Sequence, residues 1–454
     1  MNKVICIWLC VGLALFWGVI NPGWALGNET AVDTSYVGAE KCKLCHVTEY
    51  ETWSKTKHAE AYEVMDHAYQ MLKETGRGIR PWIEIGRTEE WCDECHTTGR
   101  YLNRSYVLKN VQCERCHLAG KEHVESGGGK ATQSVDWSAD LCKQCHGGSQ
   151  HPQYDDWERS AHSKSLAAAG GAVSQAPACQ VCHVAQAVVD SDFGRINIGL
   201  VEDHQPINCQ TCHDPHGSEN FRELRYPPDE LCAQCHNLKG PKIFGKIAHT
   251  QASMFNGSIM DLSGVTCYNC HMYVKVYESE ISPRVTGHTF EQKREQCVAN
   301  SCHPAKDAKW AKKAVEVRQT EVSTLLGAVE EEVKILNDVI LAKYPEWDGS
   351  KESVEEELSP HGLSAVDKYL QAKYNIDFIK ADKSKGFHNG AKARTLLEGA
   401  KLLTSDGMES MRTEIAAPIP EPKKGLSLPA VVLLIVVIGI GFAIFFELYK
   451  YVKR

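Results

Sequence analysis

Between residues 304 and 344, apolar side chains fall at helical spacing. Val315, Val322, Leu325, Val329, Val333, Leu336 and Ile340 form one stripe with charged residues between them, interrupted only by Pro304 and Gly327. That pattern predicts a long amphipathic helix, stopped by Pro345-Glu346-Trp347-Asp348-Gly349. Two shorter helical patterns follow, Ser364 to Tyr374 and Ala391 to Ser405. The expected arrangement over 304–412 is an antiparallel bundle, laid against the preceding chain or against a second subunit, so a homo-oligomer is one expectation. Leu428 to Phe446 is different: 19 residues of nearly unbroken apolar sequence, long enough to cross a bilayer as one helix. A Pro-rich tether over 413–425 leads into this anchor, set at 426–448. Lys423 and Lys424 precede it, and Lys450, Lys453 and Arg454 follow, mildly favouring a cytoplasmic tail. At the other end, Lys3 precedes an apolar run from Val4 to Ile20, then Pro22-Gly23-Trp24-Ala25. Residues 1–25 therefore read as a secretory signal cleaved after Ala25, or as an uncleaved anchor.

Between these stretches the chain is organised by cysteine. Cys-x-x-Cys-His occurs eight times: Cys42-Cys45-His46, Cys92-Cys95-His96, Cys113-Cys116-His117, Cys142-Cys145-His146, Cys179-Cys182-His183, Cys209-Cys212-His213, Cys232-Cys235-His236 and Cys267-Cys270-His271. A stretched copy sets four residues between Cys297 and Cys302, with His303 next. Each reads as a c-type haem attachment site, two thiols forming thioethers to the porphyrin vinyls and the adjacent imidazole serving as proximal iron ligand. Zinc sites and redox dithiols also use Cys-x-x-Cys, but neither needs a histidine after every second cysteine. The expected cofactor is haem c, nine copies, or eight if the Cys297 site is not used. Of the 20 cysteines, Cys6 and Cys10 fall in the signal stretch; the rest pair off, leaving none for a disulfide.

So many macrocycles must supply much of the hydrophobic core. The fold class expected is mainly α: a multihaem cytochrome of short helices and loops around packed haems, with little sheet, a C-terminal helical bundle and one transmembrane helix. At 454 residues two or more units are expected. The formal charge of −8 omits two propionates per haem, so the surface is more acidic still. That argues against nucleic acid and points to basic protein partners, or to a merely solvated surface.

An internal repeat divides the haem region. Residues 49–60, EYETWSKTKHAE, align with 153–164, QYDDWERSAHSK, so that Tyr50, Trp53 and His58 correspond to Tyr154, Trp157 and His162. The resulting units are 36–150, with four haems, and 151–303, with five. YVGAEKCKLCHVTEYETWSKTKHAEAY, CDECHTTGRY and VQCERCHLAGKEHV resemble the tetrahaem cytochromes that accept electrons from hydroxylamine oxidoreductase. CKQCHGGSQHPQYDDWERSAH, PACQVCH, INCQTCHDPHG and VTCYNCHM look like the wider superfamily, with hydroxylamine oxidoreductase itself and the octahaem and pentahaem nitrite reductases. The likeness spans roughly 36–412 and concerns haem packing more than any one reaction.

Beyond the proximal histidines, eleven remain. Several sit in contexts that resemble distal-ligand motifs: His58 and His162 in the repeats, His123 in CHLAGKEHV, His204, His216 in CHDPHG, His249 in KIAHT, His288 in GHTF and His388 in SKGFHN. With His151 they match nine irons, leaving His67 and His361. Two strong-field imidazoles leave no vacancy on iron, the arrangement of an electron carrier. No Cys-x-x-Cys-Lys marks a catalytic haem as in the pentahaem nitrite reductases; no catalytic residue is assigned. The leading expectation is a membrane-anchored, extracytoplasmic cytochrome passing electrons between a quinone-linked complex of the cytoplasmic membrane and a downstream cytochrome or reductase. The alternatives are an oxidoreductase of hydroxylamine, nitrite or a sulfur oxyanion with one open haem, and a structural subunit of a quinone-linked complex.

Overall fold

In the computed structural model of the protein the apolar stripe becomes a helix from Ala308 to Lys343. The model describes residues 35–75, 89–100, 106–128, 136–148, 151–237, 247–272, 274–275, 285–298, 302–354 and 356–416. Asp307 caps the helix, its carboxylate accepting the Trp310 amide at 2.8 Å. The second helix runs Pro360–Asp382 and the third Gly390–Ala416. Both exceed the stretches their periodicity predicts. Ser359 accepts from the amides of His361 and Gly362, and Pro360 sits at the first helical position, so the second helix starts early. The third continues four residues into the stretch read as a tether because Glu414 is tied down, accepting from the Tyr344 hydroxyl at 2.8 Å and from the Ser359 hydroxyl.

These three helices hold the main core. Leu336, Ile340, Ile379, Leu397 and Met411 are fully buried there, joined by Met254 from the haem region. Gly407 lies where a Cβ would meet Leu336 Cδ2 at 2.6 Å, so a glycine inside a helix permits the close approach of helices. Cross-helix pairs Lys380–Glu330 and Lys401–Glu332, at 2.7 and 3.1 Å, lie on the surface, where each contributes about 0–1 kcal/mol.

The haem region is built differently. Its helices are short: Val47–Trp53, Glu89–His96, Cys113–His117, Asp140–His146, Pro177–His183, Cys209–Cys212 and Cys267–His271 among them. Two small antiparallel pairs, Thr97–Arg100 with Tyr106–Lys109 and Val274–Lys275 with Val285–Thr286, are the only sheet among the described residues. The second apolar cluster is slight, with Val173, Val184 and Ala187 at its centre. Leu44 and Leu118, beside the Cys42 and Cys113 sites, are 73% and 54% exposed.

The chain divides into two compact units: residues 1–76 with 85–135, and 77–84 with 136–454. By contacts within the chain the Cys142 site groups with the later half, and the C-terminal bundle shares that unit. The reason is local. The Asp136 and Trp137 carbonyls accept from Gln210 and Asn208 at 2.7 and 2.6 Å, and the Tyr154 hydroxyl donates to Asp140 at 3.0 Å. These bonds fasten the Cys142 site to the Cys209 site. The signal stretch 1–25, the anchor 426–448 and the rest of the tether lie outside the described residues. Among the described residues no helix is long and apolar enough to cross a membrane.

Candidate haem-binding sites

In a helix, positions i, i+3 and i+4 share a face. A Cys-x-x-Cys-His run on one helical turn therefore presents two thiols and an imidazole to the same side. Local caps start these turns: Asn208 accepts from the Gln210 amide at 3.1 Å while Thr211 accepts from the Asn208 amide at 3.2 Å, and Asn269 accepts from the Thr266 amide at 2.7 Å.

The internal repeat is a structural module. The Trp53 indole donates to the Val111 carbonyl at 3.0 Å, and Trp157 to that of Ile207 at 2.7 Å. Tyr50 packs on Trp53 under the Lys43 ammonium, and Tyr154 packs on Trp157 under that of Lys143. Tyr50 donates to Glu40 as Tyr154 does to Asp140. Each module thus clamps two attachment turns together, and their cysteines meet. Hydrogen bonding to Cys113 is the chief cause raising the Cys42 thiol above its ordinary range, while Cys209 is lowered chiefly by its hydrogen bond to Cys142. Cys235 meets Cys182 and Cys232 meets Cys267 in the same way. No disulfide joins the described cysteines.

Imidazoles face each other across the same spaces. An iron bound axially about 2 Å from each ring nitrogen separates two ring centroids by roughly 6 Å. His46 and His123 are 6.2 Å apart, His146 and His151 5.6 Å, His183 and His249 5.6 Å. His213 and His288 are 6.3 Å apart, and His271 and His388 6.2 Å. His236 lies 6.0 Å from both His162 and His249; giving each proximal ring its own partner pairs His236 with His162.

The remaining nitrogen of many proximal rings is anchored. Nδ1 of His96 meets the Ala61 carbonyl at 2.6 Å, that of His183 the Ser165 carbonyl at 2.7 Å, and those of His213 and His271 the carbonyls of Arg222 and Phe290 at 2.9 Å. A carbonyl on Nδ1 selects the tautomer whose Nε2 lone pair is available to metal. Arg222 and Phe290 are held at φ 55° to deliver those carbonyls, a left-handed conformation costing about 1–2 kcal/mol. Burial above all, reinforced by neighbouring imidazoles, lowers His162 and His249 to about 4. Burial likewise lowers His213, His236 and His271. All five are neutral at pH 7, as ligation demands.

Other expected ligands are placed differently. Both amide protons of Gln180 go to the Val173 and Val201 carbonyls, so His204 Nε2 donates to Val201 at 2.9 Å. His204 is thereby held by protein atoms. His216 sits half-exposed, its Nδ1 3.6 Å from Asp214. His58 follows the helix Val47–Trp53, its carbonyl accepting from Ala61 and Val111. His117 ends its helix, and His303 is exposed, its ring 4.9 Å from that of Trp310. His67 and His361 are exposed. Sequence reasoning passed over Asp382, whose carboxylate lies 2.5 Å from His388 Nδ1. An acidic residue closing the helix before SKGFHN was the available signal.

The residues therefore fit haem: paired turns of thiols, imidazoles at the separation an axial iron requires, and apolar side chains left for a macrocycle to cover. Comparison with known proteins agrees. The family model of cytochrome c552 matches residues 235–421, that of cytochrome c554 and c-prime residues 41–118, and a doubled CXXCH motif residues 202–240. The chain is 25% identical to cytochrome c-554 of Nitrosomonas europaea over 26% of its own length and 61% of that protein's. It is 27% identical to the multiheme cytochrome MtrA of Shewanella baltica over 30% and 46%. It is 28% identical to the cytochrome c nitrite reductase subunit NrfA of Nitratidesulfovibrio vulgaris over 33% and 28%. The matches thus span less than two thirds of each relative. Among solved structures, the outer cell wall cytochrome OcwA superposes with TM-score 0.59 at 20% identity, covering 82% of this chain and all of that one. The undecaheme S-layer cytochrome of Carboxydothermus ferrireducens superposes at 0.55 and 18% identity, covering 82% and 69%. These two likenesses concern the fold.

Proposed function

We propose that this chain, which belongs to the superfamily of multihaem c-type cytochromes, is an electron-transfer cytochrome that carries nine haems and is anchored to the outer face of the cytoplasmic membrane. The observation that carries the reading is the set of facing imidazoles at 5.6–6.3 Å. Haem supplies a one-electron couple at each site when bound. The pairs His46/His123, His146/His151, His183/His249, His213/His288, His236/His162 and His271/His388 would hold the iron from both sides. Backbone carbonyls fix the ring orientations of His183, His213 and His271. The clamped turns bring attachment cysteines together, Cys142 to Cys209, Cys182 to Cys235 and Cys232 to Cys267, so haems held there would lie near one another within the second unit.

Positioning and exclusion of substrate, rather than bond making, is what these side chains are built for. The apolar stretch 428–446 supports the anchor and the signal-like residues 1–25 support export, with a quinone-linked membrane complex and a downstream cytochrome or reductase as redox partners. The test is stopped-flow oxidation of the fully reduced holoprotein. It should release its electrons to an artificial acceptor stoichiometrically and give no sustained turnover of nitrite, hydroxylamine or tetrathionate. Turnover of any of them under excess reductant would make it an oxidoreductase instead.

A further inference from the structure

The ring of His388 is held differently from four of the proximal rings. The proximal rings of His96, His183, His213 and His271 rest on neutral backbone carbonyls. His388 Nδ1 instead faces the carboxylate of Asp382 at 2.5 Å. The Asp382 side chain is wholly buried and that of His388 is 22% exposed, so the bond is largely shielded from water. Ser384 completes the arrangement, donating its hydroxyl to the other carboxylate oxygen and accepting from the His388 amide at 3.1 Å. The backbone is shaped to close this loop: Lys383, Lys385 and Gly386 all take positive φ, turning the chain so that His388 returns to Asp382 at the end of the helix Pro360–Asp382. On the far side of the same space stands His271, 6.2 Å away.

A carboxylate on the outer nitrogen of a ligating imidazole draws its proton and makes the other nitrogen a stronger donor, which favours the ferric over the ferrous state. We infer that Asp382 is a positioning residue that lowers the midpoint potential of the haem the Cys267 site would hold. The inference rests on the ligand pairing of the proposed function, here His271 with His388. Its place in the array gives it consequence. Cys267 meets Cys232 on one side, and Cys270 feels Cys297 and Cys302 on the other. The site therefore stands between two neighbours, so a lowered potential there would act on transfer along the path.

The holoprotein is titrated potentiometrically with electron paramagnetic resonance as the readout. First, His388→Ala must convert one haem to high spin; if it does not, the pairing itself is wrong and the inference falls with it. With that established, Asp382→Asn keeps an oxygen for the His388 proton but removes the charge. The haem that turns high-spin in His388→Ala should become easier to reduce by about tenfold in its equilibrium constant, about 59 mV for a one-electron couple, with its low-spin g-values altered and the others fixed. Ser384→Ala leaves the carboxylate in place, strips one hydrogen bond from it and should shift the same haem the opposite way, so the answer survives if Asp382→Asn fails to fold. Unchanged potentials in these variants, whatever their thermal stability, would overturn the inference while leaving the pairing intact.

Discussion

Gly386 is where bundle packing and haem ligation meet most tightly. It takes φ 79°, and a Cβ there would lie 2.6 and 2.8 Å from the two methyls of Val322, itself buried in the first bundle helix. Gly386→Ala therefore suffers twice. A left-handed backbone disfavours any residue with a Cβ by about 1–2 kcal/mol, and overpacking a filled core adds about 1–3 kcal/mol. Together the loss is about 2–5 kcal/mol, seen in denaturant unfolding of the holoprotein followed by far-ultraviolet circular dichroism. The strain sits two residues before His388, so the variant should also show a high-spin ferric signal in a fraction of molecules. Val322→Ala removes the two methyl contacts but leaves the Cβ of residue 322 at 2.9 Å, so it relieves part of the clash and none of the backbone strain. In the Val322→Ala background, Gly386→Ala should cost less than in the parent, and the difference, at most about 3 kcal/mol, is the coupling between the two sites. Additive effects, or a single variant within about 0.5 kcal/mol of the parent, would refute the steric reasoning.

Two further outcomes follow from the same structure. Burial alone would raise the Glu414 carboxyl, but hydrogen bonds from Ser359 and Tyr344 outweigh it and hold the group below its usual range. A depressed carboxylate contributes stability that is present above its unfolded value near 4.5 and lost as pH falls through the lower folded value; Glu414→Gln should flatten that acid limb in pH-dependent unfolding and cost about 1–3 kcal/mol at neutral pH. Ending the chain after Lys424 should move the haem-loaded protein from the membrane fraction to the soluble one; retention in washed membranes would remove 428–446 as the anchor.

What could be read from the sequence was whatever is local. Cys-x-x-Cys-His needs one helical turn, and the bundle stripes need only periodicity, so both are legible without tertiary structure. The repeat was legible too, through Tyr50, Trp53 and their counterparts, although its mechanical meaning was not. The indoles reach carbonyls at Val111 and Ile207, separations that no local pattern announces. The grouping of residues 136–137 with the later half is illegible for the same reason, since the side chains of Asn208 and Gln210 hold their carbonyls. Facing imidazoles are hardest. His204 and His288 look equally suited in sequence, yet Val201 occupies the nitrogen of one while the other faces His213. Carbonyl anchors such as those of Arg222 and Phe290 carry no side-chain signature at all. The start of the second bundle helix was readable, from Ser359-Pro360, by capping rather than by hydrophobic pattern.

The central claim is that paired imidazoles close both axial positions of the haems. Spin quantification by electron paramagnetic resonance of the fully oxidised holoprotein, set against total haem iron, tests it most directly. Low-spin ferric centres should account for at least the six sites whose imidazoles face each other, and cyanide should leave their signals unchanged. A majority of high-spin iron, or loss of those low-spin signals on adding cyanide, would contradict it.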